Sequence, residues 1–79
     1  MTMYCLELYD KDNDIFEAVA YSDSQYRLKQ WGKPIEVLIK RDMVVRHCSD
    51  GTKEPFDSCR VRQLEAGEEP LYTGNKYFV

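Results

Sequence analysis

The N-terminal quarter of the chain has the pattern of a β-hairpin, and that constrains everything after it. Residues 3 to 9, Met-Tyr-Cys-Leu-Glu-Leu-Tyr, are rich in strand formers and place Tyr4, Leu6 and Leu8 on one face at period two. Five turn formers follow, Asp10 to Asp14, and Ile15 to Tyr21 resumes as an apolar-rich segment of strand length. Two faces of this second strand compete, Phe16, Ala18 and Ala20 against Ile15, Val19 and Tyr21. If the alanines face inward, a helix can pack closely over them.

That helix is expected next. Ser22 suits an N-cap, Asp23 suits the positive end of the helix dipole, and Ser24 to Trp31 contains no glycine, proline or β-branched residue. Gly32 and Pro34 supply a stop, which predicts a short helix over about 22–32 with Tyr21, Gln25, Leu28 and Trp31 on one stripe.

From Ile35 the period returns to two. Residues 35–40 and 43–48 both have the pattern of strands, with a bend at Arg41-Asp42. Asp50-Gly51 is a turn signal, and Pro55 restricts the segment after that turn to a sheet edge. Phe56 to Leu64 alternates Cys59 and Val61 with Arg60 and Arg62, the pattern of a half-exposed strand with its arginines in water. Residues 66–70 form a loop, and Leu71 to Thr73 and Lys76 to Val79 flank a Gly74-Asn75 turn, with Tyr77-Phe78-Val79 as a final strand. The expected fold is therefore α+β: a hairpin, one short helix, then three or four mainly antiparallel strands, with the helix on one face of a single sheet.

Seventy-nine residues hold one such domain, since two would each fall near the roughly 40 residues below which metals, disulfides or oligomers are usually needed. The core is thin, and a partner or a homodimer would supplement it. No apolar run reaches the roughly 18 residues of a membrane span, and no signal-peptide pattern opens the chain, so a cytoplasmic protein is expected. Three widely spaced cysteines, Cys5, Cys48 and Cys59, fit reduced thiols, with Cys5 and Cys59 as small buried hydrophobes.

Chemistry-bearing motifs are sparse. Asp10, Asp12 and Asp14 have the spacing that opens an EF-hand loop, but Ile15 and Tyr21 occupy its glycine and glutamate positions. His47 is the sole histidine, no cysteine pair has zinc-knuckle spacing, and on a strand His47 and Cys48 point to opposite faces. The four glycines form no phosphate loop, and Glu7, Glu17 and Glu36 alternate with apolar neighbours in the manner of water-facing residues. No metal, cofactor or catalytic set is assigned.

What remains is surface. The modest net charge of -3 hides three blocks: residues 1–26 carry six acids against Lys11, residues 27–62 carry nine Lys/Arg against five Asp/Glu, and residues 63–79 carry three acids against Lys76. The basic middle, with Tyr26 just before it, supplies a candidate binding surface of Tyr26, Arg27, Lys29, Trp31, Arg41, Arg46, Arg60 and Arg62, since arginine with aromatics marks both protein hot spots and single-strand nucleic-acid grooves. The functional expectation is a non-enzymatic interaction protein that binds and modulates or inhibits a larger protein or protein complex. Its general size and layout are shared by small phage and bacterial regulators, including inhibitors of host defence. The alternative is a nucleic-acid-binding domain using residues 27–62, which the acidic ends oppose.

Overall fold

A computed structural model describes residues 2–69 and 77–79. The elements run β1 (Tyr4–Asp10), β2 (Ile15–Ser22), α1 (Gln25–Lys40), β3 (Val45–His47), β4 (Lys53–Pro55), β5 (Ser58–Gln63) and β6 (Tyr77–Phe78). Strands β5-β1-β2-β6 form one mixed sheet, antiparallel except for the β2–β6 pair, and α1 covers one face of it. The fold is α+β as expected. It departs from a single sheet, because β3 and β4 form a separate two-stranded ribbon.

The hairpin forms where the alternation places it, with Asp14 in the left-handed conformation at φ 51° that short polar residues tolerate in turns. A register shift between Leu6 and Glu7 settles the face of β2. Leu6 pairs with Ala20 and Glu7 with Ala18, so Val19 is the extra residue of a bulge. Ala20 and Val19 therefore both pack beneath α1, and the small Ala20 is fully buried there beside Leu6 and Leu28. A second cluster joins Leu8, Ile39 and Phe56. Burying a leucine or phenylalanine contributes roughly 1.5–3 kcal/mol, so these two clusters carry much of what stabilises so small a chain.

The helix differs from its expected extent of 22–32 and runs to Lys40, absorbing the segment 35–40 that has the pattern of a strand. Leu28, Gly32, Ile35 and Ile39 form one continuous helical stripe facing the sheet, so burial favours the helical period over the period-two alternation of Ile35, Val37 and Ile39. Gly32 is a packing residue and not a stop: a Cβ there would lie 3.3 Å from Leu6 Cδ1. Pro34 sits in the helix interior on the exposed side. The stop is Asp42, left-handed at φ 55°, whose N–H donates to Ile39 O while Met43 N–H donates to Leu38 O. This is a Schellman closure with aspartate in the position that glycine more often fills. At the other end the N-cap is Ser24, not Ser22; its Oγ accepts from Arg27 N at 3.3 Å, and Ser22 is the buried last residue of β2. No helix of the described residues is long and apolar enough to cross a membrane.

Only Val45–His47 of the expected 43–48 strand is paired, with Lys53–Pro55 across the Asp50-Gly51 turn, where Gly51 takes φ +88°. Pro55 is accommodated because β4 has a free edge in this ribbon. His47 stands opposite Lys53, and Arg46 is the residue opposite Glu54. Tyr77 and Phe78 do form a final strand, parallel to β2; the expected strand at 71–73 and the Gly74-Asn75 turn lie outside the described residues.

Candidate functional site

The face of the sheet away from α1 carries a compact charge network. Glu7 is expected in water, yet it is 6% exposed, because β5 places Arg60 directly opposite it and Arg62 two residues further along the same face. Both guanidinium Nε groups donate to Glu7 Oε1, at 3.0 and 2.9 Å. A carboxylate can be buried at an acceptable cost only when paired and hydrogen-bonded in this way. Arg62 also forms a two-pronged pair with Glu68, Nη1–Oε1 at 2.8 Å and Nη2–Oε2 at 2.6 Å, and this pair holds the Glu68 carboxyl down to about 2. Arg60 lies 4.1 Å over the ring of Phe16, which in turn stacks on Tyr9 at 4.4 Å.

Arg46 is engaged elsewhere. Its Nη2 donates to Asp10 Oδ2 at 3.2 Å, and Asp10 is 1% exposed although it lies in the acidic hairpin end. Asp10 also accepts from Asn13 Nδ2 and from Asp12 N–H, and these bonds with Arg46 hold its carboxyl below the usual carboxylate range. The acidic turn is thus a structural knot that ties the ribbon to the hairpin. Arg41 is exposed at the helix C-cap, away from these groups.

The remaining candidates divide between the two flanks of α1. On the β6 side Tyr26, Arg27 and Trp31 meet Pro34, Ile35 and Val79 around a mainly apolar groove of about 670 Å³. Tyr26 is 70% exposed, while Trp31 is half-buried and packs on Tyr77 with ring centroids 5.3 Å apart. Lys29 points to the opposite flank, where it and Arg60 border a smaller groove between α1 and β5. The eight candidate residues therefore do not form one basic patch: Tyr26, Arg27 and Trp31 gather at the apolar groove, Lys29 lies at the second groove, Arg41 stands exposed at the helix C-cap, and Arg46, Arg60 and Arg62 are each paired with a carboxylate, Arg60 also bordering the second groove.

Pro34, Ile35 and Val79 escape the sequence reading because Pro34 marks a helix end there and because the strand that brings up Val79 is a tertiary event. The three cysteines are free thiols. Cys5 is buried, and burial is the main reason its thiol is pushed up to about 11, the condition of an inert structural cysteine. Among the described residues no group of three or more His, Cys, Asp or Glu side chains could hold a metal ion. A comparison with protein-family models, curated proteins and solved structures finds no match to this chain.

Proposed function

We propose that this chain is a small non-enzymatic interaction protein that binds a larger protein through the β6-side flank of α1 and modulates or inhibits it. The observation that carries this reading is the groove between Tyr26, Trp31, Pro34, Ile35 and Val79, an apolar floor with a largely exposed tyrosine and an arginine at its rim. Tyrosine, tryptophan and arginine are the residue types that dominate binding energy at protein interfaces, and they act from sites that exclude water around them. The three free thiols fit action in the cytoplasm, where thiols stay reduced.

The test compares affinity capture from source-cell extract by the wild-type chain, Tyr26→Ala, and Lys29→Ala on the opposite flank. The expected result is one stoichiometric partner, held tens-fold less tightly by Tyr26→Ala, as a loss of about 2 kcal/mol at a hot spot implies, and unchanged by Lys29→Ala. Thermal midpoints of the two variants should match the wild type, since both side chains are exposed. Recovery of no stoichiometric partner, or one indifferent to Tyr26, overturns the reading.

A further inference from the structure

Strand β5 is an outer strand of the sheet: β1 pairs along one side of it, and nothing among the described residues pairs along the other. An open strand edge presents backbone N–H and C=O groups on which another strand can form. Beside this edge runs the flank of α1 that carries Lys29, Lys33 and Glu36, one stripe at helical spacing. Between stripe and strand lies a groove of about 340 Å³, with Leu6 and Leu28 at its base and Cys59 and Val61 along its wall. The missing side chain of Gly32 keeps α1 close to the sheet at this point, 3.3 Å separating its would-be Cβ from Leu6 Cδ1.

A strand added outside β5 would send alternate side chains to opposite faces of the sheet. One set would enter the groove, against its apolar base and beneath Lys29 and Lys33. The other would lie on the open face opposite Arg60 and Arg62. The two lysines make no ion pair among the described residues, and Arg60, half exposed, uses only its Nε on Glu7. The excess of positive charge at this edge lies in the groove, where Lys29, Lys33 and Arg60 face the single carboxylate of Glu36, whereas on the open face Glu7 and Glu68 pair with Arg60 and Arg62. A second copy of the chain is a poor occupant, because antiparallel pairing of β5 with itself would oppose arginine to arginine.

We propose that the β5 edge and the groove beside it form a docking site for an extended segment of a partner protein in which apolar and acidic side chains alternate, bound by strand addition. The main-chain bonds would supply affinity, and the groove and cations would select the alternation. This site is separate from the Tyr26 groove and stands or falls independently of it.

The test is a titration of 15N-labelled protein with a blocked eight-residue peptide alternating valine and glutamate, alongside its valine–lysine counterpart and a version N-methylated at every second residue, made in both registers. Expected are amide shifts across residues 58–63 and at Lys29 and Lys33, at least tenfold weaker binding of the lysine peptide, and loss of binding on methylation in one register. Lys29→Glu with Lys33→Glu, both exposed positions, should weaken the glutamate peptide at least tenfold without moving the thermal midpoint, whereas Tyr26→Ala should leave it unchanged. No binding, equal binding of the lysine peptide, shifts confined to the Tyr26 groove or β6, or survival of binding in both methylated registers overturns the proposal. So does a concentration-dependent shift of β5 without peptide, which would assign the edge to a second copy.

Discussion

Glu7, Asp10 and Glu68 show how far a carboxylate's environment can depart from its neighbours in sequence. Each is acidic in a polar or alternating context, and each accepts hydrogen bonds from a guanidinium brought from a distant segment or, for Glu68, from the strand just before its loop. Glu68 gives this a measurable consequence. Its carboxyl is held down to about 2 by Arg62 and by the Glu65 N–H, whereas in an unfolded chain a glutamate titrates near 4.3. A group whose folded value is depressed contributes stability that is present above its unfolded value and lost as pH falls through its folded value. Urea midpoints of the wild-type protein should therefore fall between about pH 4.5 and pH 2. Glu68→Gln should show a smaller fall over the same window, with the remainder owed in part to Asp10, whose carboxyl is also depressed. Superimposable acid profiles of the two proteins would exclude this role for Glu68.

At the scale of elements, α1 is where local signals and tertiary packing disagree. Gly32-Lys33-Pro34 is a strong helix terminator on local grounds, and Ile35 to Lys40 has the alternation of a strand. The helix continues because its stripe of Leu28, Gly32, Ile35 and Ile39 buries against Leu6, Leu8 and Phe56, gains that a short helix followed by an edge strand would forgo. Pro34 then remains in a helix interior, where proline costs about 3 kcal/mol relative to alanine. Pro34→Ala should raise unfolding stability by about 1–3 kcal/mol in urea. Gly32→Leu, placing bulk against Leu6 and Cys59, should lower it by a similar amount. A destabilised Pro34→Ala protein would show that the proline is matched to a local bend and not merely tolerated.

Across the whole molecule, the β3–β4 ribbon is held to the hairpin by the Asp10–Arg46 pair, by Phe56 in the second core cluster, and by a bond from Lys11 N–H to Asp57 Oδ2 at 2.8 Å. Arg46→Ala should speed amide hydrogen exchange over residues 43–57 about tenfold, equivalent to roughly 1.4 kcal/mol of local opening, while the amides of β1 keep their protection. Uniform acceleration across the chain would mean that the ribbon does not open independently. The hairpin, β5 and its alternation, the Asp50-Gly51 turn and the α+β class were all legible because each depends on residues adjacent in sequence: strand period, turn chemistry, charge at exposed positions. The candidate surface was legible only in part, because Tyr26, Arg27 and Trp31 lie on neighbouring turns of one helix, whereas Asp10 and Glu7, the buried partners of Arg46, Arg60 and Arg62, lie 36, 53 and 55 residues away from them. By itself the sequence determined which segments could be strands and which side chains could serve recognition. Tertiary structure alone decided where the helix ends and which cations are neutralised. It also decided which strand edge stays open, because each of these depends on burial and pairing between distant segments that no local pattern encodes.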